Sequence, residues 1–191
     1  MITAMRRPLT RPKATGHARC LEAATCQTLR ATRAPDTAID SVIYKVAETR
    51  AEREAAFRLV YGAYTASGLI AENPFRMRVT PYHLSPKTGV FLAVSKYELV
   101  YTVSLIEDAE LGLPLEGLYG DAVQAMREQG HKLAEVSCLA GRVDTFDRKR
   151  HFDISVNLMG LMAQYARRNG VDRLLVAVHP RHAKFYVHFY G

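Results

Sequence analysis

The segment Lys132-Leu133-Ala134-Glu135-Val136-Ser137-Cys138-Leu139-Ala140-Gly141 constrains this chain more than any other. It reads as one buried strand that carries a carboxylate, a hydroxyl and a thiol in the middle of an apolar run. Buried carboxylates are rare unless they are paired or do chemistry. The strand ends in small residues and runs into an Arg-rich stretch and then a helix. Glu135 is therefore the first residue for which a fold must account.

The rest of the chain supplies elements around that strand. Ser41–Ala47 alternates in the way of an edge strand. Thr49-Arg50-Ala51-Glu52 is a capping box, and Phe57, Val60, Tyr61 and Tyr64 recur at helical spacing until Gly68. Residues 71–88 contain Pro74, Pro81 and Pro86 and show no periodicity; long connections of this kind in compact domains are often functional. Strands are expected over Val90–Ser95 and Leu99–Glu107, although the link between them lacks the glycine of a favoured hairpin turn. A turn at Leu111–Pro114 leads to a helix over Leu118–Gln129. After the central strand come a helix over Phe152–Asn169, a continuous apolar strand at Leu174–Val178 and a short helix over Arg181–Tyr190. The order predicts an α+β domain with a mixed central sheet flanked by helices, over 39–191. Residues 1–38 read as a basic, disordered N-terminal arm.

The 191 residues carry a net charge of +7, and seven of the Lys and Arg residues against three acids fall in the first 40 positions. A basic surface suits an acidic partner such as a carrier protein, or it is an ordinary solvated tail. Nucleic acid is not expected, since only the tail would support it. Three cysteines, Cys20, Cys26 and Cys138, match no zinc spacing and suit a reducing, cytoplasmic setting. No metal site is expected. No apolar run approaches a transmembrane span, and the start lacks a secretory h-region, while its Arg-, Thr- and Ala-rich character leaves an organelle transit peptide as a minor alternative.

Several stretches recur together in order. They are Tyr44–Ala47 leading into Phe57-Arg58-Leu59-Val60-Tyr61, Thr80-Pro81-Tyr82-His83-Leu84, Leu111-Gly112-Leu113-Pro114, Leu118-Tyr119-Gly120, Leu133-Ala134-Glu135-Val136-Ser137, and Pro180-Arg181-His182 with Phe185-Tyr186. In these the chain resembles the GNAT acyltransferase fold. Within that fold it resembles the long-chain N-acyl amino acid synthase (FeeM-like) family, relatives of the acyl-homoserine-lactone synthases. The resemblance implies transfer of a long-chain fatty acyl group from acyl carrier protein to the amine of an amino acid. It implies no bound cofactor, the donor being an acyl-phosphopantetheine or acyl-CoA. It also implies two more strands after the last helix; the sequence stops at Gly191, so the fold is expected to lack them.

Amide formation from a thioester needs a neutral amine, a polarised carbonyl and a held donor. Glu135 is the candidate to take the ammonium proton; alternatively it pairs with Arg142 or another arginine to pin the sheet. Backbone N–H groups at Val136, Ser137, Cys138 and Leu139, freed where a neighbouring strand splays away, would hold the developing oxyanion. In a regular strand Ser137 shares the face of Glu135 and is a catalytic candidate, while Cys138 lies opposite, where, with no His beside it in sequence, it reads as a small core residue rather than a nucleophile. The segment 141–150 has no internal glycine for wrapping a pyrophosphate but holds Arg142, Arg148, Lys149 and Arg150. These suit the single phosphate of a phosphopantetheine arm or the acidic face of a carrier, or are a solvated basic loop. Tyr186 sits where GNAT enzymes often keep a Tyr beside the departing sulfur, and is otherwise core material. Arg76, Arg78, Tyr82 and His83 are acceptor-site candidates, since arginine binds carboxylate bidentately. The acyl groove is expected around Phe91, Val103, Leu105 and the 152–169 helix.

Two rival readings stay open. One is an acyl-homoserine-lactone-type or CoA-dependent N-acyltransferase. The other is a non-catalytic module that binds acyl groups or carrier protein.

Overall fold

A computed structural model describes residues 2–6, 41–142, 146–178, 184 and 188. One sheet of six strands organises them: β1 (Ile2–Arg6), β2 (Val42–Val46), β3 (Thr88–Ser95), β4 (Glu98–Glu107), β5 (Leu133–Gly141) and β6 (Arg173–Val178). Their order across the sheet is β1-β6-β5-β4-β3-β2. Strands β2 to β5 pair antiparallel, whereas β6 runs parallel to both β5 and β1. The mixed α+β sheet expected from the sequence is thus observed, with β5 central. Ile2–Arg6, which the sequence places in the N-terminal arm, forms the outer strand beside β6. The remainder of that arm lies outside the described residues, as does the expected final helix apart from Lys184 and His188.

Helix α1 (Arg50–Ala66) begins at the capping box foreseen in the sequence. The Thr49 hydroxyl accepts from the Glu52 N–H at 3.2 Å, and the Glu52 carboxylate accepts from the Thr49 N–H at 3.2 Å. Helix α2 (Glu116–Glu128) breaks at Tyr119, where φ is −134° and ψ 30°. Helix α3 (Arg148–Arg168) starts earlier than its apolar face implies, because the Asp147 carboxylate caps the Arg150 N–H at 2.8 Å.

Helix α3 buries Ile154, Leu158, Met159 and Met162 on one face of the sheet, against Phe91, Val103, Leu105, Ala134 and Val136. Each such fully buried aliphatic side chain contributes about 1.5–3 kcal/mol. Helix α1 covers the other face at Val90, Leu92, Cys138 and Ala140. Helix α2 covers its far end at Ile106, Leu133 and Leu175.

The β3–β4 hairpin turns on Lys96 and Tyr97, whose φ angles are 48° and 66°. Both residues adopt the left-handed region that a two-residue turn of this hand demands, without a glycine. The turn thus obeys the twist of the strands rather than local preference.

Candidate active site

The sheet parts along one side of β5. Strands β5 and β6 are in register only at Leu133↔Arg173, Ala134↔Leu174 and Glu135↔Leu175. Beyond Glu135, β5 continues to Gly141 with no partner from β6 among the described residues. On its other side, Ser104 faces Ser137 and Thr102 faces Ala140, so Val103 opposes both Cys138 and Leu139. This is a β-bulge, and Cys138 takes a φ of 54° in it. The strand is therefore not regular where the sequence reading assumed regularity. Cys138 turns to the α1 face with Val60 and Ala140 instead of lying opposite Ser137. The Ser137 hydroxyl donates to the Cys138 sulfur at 3.7 Å, and burial raises the Cys138 thiol pKa.

Glu135 is 5% exposed and sits at the point where β5 and β6 separate. Its Oε2 accepts the backbone N–H of Leu115 at 2.8 Å. Burial pushes its carboxyl up to about 7, with the Glu116 charge adding to the rise and the Leu115 N–H opposing it. The expected alternative of a Glu135–Arg142 pair does not occur, because Arg142 binds Glu98 at 2.7 Å at the opposite end of β5.

The 71–88 segment folds over this face. It holds a 3-10 turn, Pro81–Leu84, from which His83 points into the sheet, 6% exposed. The Thr80 N–H donates to His83 Nδ1 at 3.1 Å. In the neutral ring the proton then lies on Nε2, which is 3.3 Å from the Ser104 hydroxyl. Burial, reinforced by the Arg78 charge, lowers the His83 pKa to about 4, so the ring is neutral at pH 7. The same Arg78 charge bears on Cys138, and its buried Nε has no hydrogen-bond partner among the described residues. Tyr82 packs with the Leu113, Leu115 and Leu175 cluster beside Glu135. Arg78, Tyr82, His83, Glu135, Ser137 and Cys138 thus meet on one face of the sheet.

Other expected site residues lie apart. Arg76 is exposed and lines an outer groove of about 740 Å³ with Arg58, Tyr61 and Asn73. Arg148 and Lys149 are exposed on the first turn of α3 and Arg150 is half-buried there. Tyr186 lies outside the described residues. The expected acyl groove is filled: Phe91, Val103 and Leu105 are fully buried in the core beneath α3. A groove of about 670 Å³ instead runs between α1 and the β3–β4 hairpin, lined by Leu59, Ala63, Ala66 and Leu99 together with Arg58 and the Glu98–Arg142 ion pair. Among the described residues no group of three His, Cys, Asp or Glu side chains could hold a metal ion, and no helix is long and apolar enough to cross a membrane.

Sequence reasoning missed Leu115, Ser104 and Thr80. Leu115 acts through its amide, which no side-chain pattern reveals. Ser104 sits in a strand whose alternation would have marked it as an inward-facing hydroxyl.

Similar architectures occur in solved proteins. A ribosomal-protein-alanine N-acetyltransferase from Brucella melitensis biovar Abortus 2308 matches with a TM-score of 0.51 at 13% identity, over 79% of this chain and 92% of that one. The acyl-homoserine-lactone synthase LasI matches with a TM-score of 0.52 at 15% identity, over 72% of each chain. With the parted sheet and the bulge, these show a GNAT-type fold. A family model described as N-acyl amino acid synthase FeeM matches residues 55–191. FeeM itself, an N-acyl amino acid synthase from uncultured soil microbes, matches with a TM-score of 0.69 at 26% identity, over 77% of this chain and 76% of that one. The chain belongs to the FeeM N-acyl amino acid synthase family and is an N-acyltransferase. No curated protein matches it.

Proposed function

We propose that this enzyme moves a long-chain fatty acyl group from acyl carrier protein to the amine of an amino acid, in the cytoplasm. The observation that carries the reading is Glu135, a buried carboxyl with a pKa near 7 where β5 leaves β6. A base tuned to that range accepts a proton at neutral pH and still ionises readily. In the reaction the acceptor ammonium gives one proton to Glu135, directly or through water. The amine nitrogen attacks the thioester carbonyl, a C–N bond forms, the C–S bond breaks and the carrier thiol leaves with a proton.

The bulge at Cys138 supports an oxyanion site. Two residues there oppose one on β4, so the amides of Val136–Leu139 are not all consumed by the ladder. Ser137 lies beside them. Arg78, whose buried Nε has no hydrogen-bond partner among the described residues, is the group for the acceptor carboxylate; Tyr82 and His83 shape the same space, whereas Arg76 lies in a separate outer groove. Tyr186 remains the candidate proton donor to the departing sulfur.

Donor choice rests on the start of α3. The Asp147 carboxylate already takes the Arg150 amide there, where a pyrophosphate would otherwise bind. A donor phosphate is then held by side-chain charge rather than by the helix amides, with Arg142, Arg148, Lys149 and Arg150 as the candidates. The groove along Leu59, Ala63 and Leu99 suits an aliphatic chain. CoA is the alternative donor, as one GNAT-fold neighbour was solved with acetyl-CoA.

The test is to offer the full chain long-chain acyl carrier protein and the matching acyl-CoA in parallel, with the common amino acids, and to read products by mass spectrometry. N-acyl amino acid from the carrier-bound donor at far lower concentration supports the reading. Equal use of both donors overturns the carrier preference, and no amide from either overturns the reaction.

A further inference from the structure

Arg127 is on α2, away from the parted strands, yet its bonds lead to Glu135. Its Nε and Nη2 reach the two Asp108 carboxylate oxygens at 2.6 and 2.7 Å. Its Nη1 reaches Glu116 Oε2 at 3.0 Å. One guanidinium therefore joins the two ends of the 108–116 turn. On a straight helix Glu116 and Arg127 would stand about 16 Å apart along the axis. The break at Tyr119 folds the first turn of α2 back and closes that gap.

The turn between those ends is tied at both sides to β5. The Asp108 N–H donates to the Leu133 carbonyl at 3.0 Å. The Leu113 N–H donates to Glu116 Oε1 at 2.5 Å, and the Leu115 N–H to Glu135 Oε2 at 2.8 Å. Gly112 has a φ of 67°, and a Cβ there would collide with the Glu116 carboxylate. Leu113 and Leu115 are 1% and 3% exposed, so the end of the turn that carries the Leu115 amide is anchored in the core, while Leu111 at its tip is exposed.

We infer that Arg127 is a positioning residue for Glu135: it holds the 108–116 turn closed and so aims the Leu115 amide at the carboxylate. The inference rests on the catalytic reading of Glu135 given above. An isolated exposed ion pair stabilises little. A fork that grips two carboxylates and fixes an amide has a specific consequence instead. Without Arg127, the amide that favours ionised Glu135 is no longer held, and the Glu116 charge loses its neutralising partner. Both changes make Glu135 harder to ionise. The groups on the face of Glu135 are the Leu115 amide and Glu116 from this turn, Arg78, Tyr82 and His83 from the 71–88 segment and Cys138 on its own strand.

The test compares wild type, Arg127→Met, Glu135→Gln and the double variant by the pH dependence of kcat/KM for amide formation. Arg127→Met is expected to move the ascending limb to higher pH and to cut kcat/KM at pH 7 on the order of tenfold, with acceptor KM unchanged. In the Glu135→Gln background it is expected to add no further loss. Arg127→Lys keeps the charge and loses the fork, so it gives a smaller shift of the same sign and carries the test if Arg127→Met does not fold. An unmoved limb, or the same fold-loss in both backgrounds, overturns the inference while leaving the Glu135 reading intact. If Glu135→Gln itself turns over like wild type, the Glu135 reading fails and this inference falls with it.

Discussion

The backbone N–H of Leu115 meets the Glu135 carboxylate at 2.8 Å, across 20 positions of sequence. It joins a turn outside the sheet to the carboxyl at the point where the sheet opens. A buried acid that accepts one amide, with a second carboxylate nearby, is poised to change protonation near neutrality. Its neighbour on the same face, His83, is poised in the opposite sense.

That opposition gives a stability signature. Glu135 has its pKa raised from 4.5 to about 7, so between those values the folded chain keeps a proton the unfolded chain has released. Stability from this group is full below about 4.5 and is lost as pH rises toward 7, by about 3 kcal/mol. His83 has its pKa lowered from 6.5 to about 4, so its contribution is full above 6.5 and lost as pH falls toward 4. In wild type the two slopes oppose each other through the shared window. Glu135→Gln should leave stability rising with pH there, and His83→Asn should leave it falling. Urea unfolding at several pH values checks both; parallel profiles for all three proteins would count against the assignments.

The groove beside α1 predicts chain-length selectivity. Ala63 lines it and is half-buried, so Ala63→Phe should shorten the preferred acyl chain by several carbons. Acceptor KM should stay within about twofold, because the acceptor candidates lie elsewhere. Competition among donors of different length, read by mass spectrometry, measures this directly.

Arg148 and Lys149 are exposed at the start of α3. Reversing both to Glu should raise the KM for a carrier-protein donor about tenfold or more at low salt and do so less at high salt, with kcat little changed. Unfolding free energy should move by under about 1 kcal/mol. An unchanged KM would remove these residues from the donor site.

Gly141 lies under the Tyr101 ring, where a Cβ would collide with it. Gly141→Ala should displace Tyr101 and break its 3.0 Å bond to His151 of α3. The expected cost is about 1–3 kcal/mol, visible as a lower denaturation midpoint.

Strands β2 to β6 were legible because each carries its own periodicity and stop signals, whereas β1 forms only by pairing with β6 and was read as part of the arm. The Thr49 capping box and the apolar face of α3 needed nothing beyond local chemistry. Glu135 was legible because a carboxylate in an apolar run has few explanations. What escaped were features made by the fold as a whole. The bulge that turns Cys138 toward α1 depends on strand pairing, and the fate of Arg142 depends on Glu98 from the β3–β4 hairpin. The filled core at Phe91, Val103 and Leu105 could not be told from a groove, since both are apolar alternations. The Leu115 amide leaves no side-chain trace at all.

The most direct measurement is the pH dependence of kcat/KM for N-acyl amino acid formation in wild type and Glu135→Gln. The account predicts an ascending limb near pH 7 in wild type. In the variant it predicts a loss of at least about a hundredfold and no such limb, with the fold intact by circular dichroism. A folded Glu135→Gln that retains wild-type rates and the same limb would contradict it.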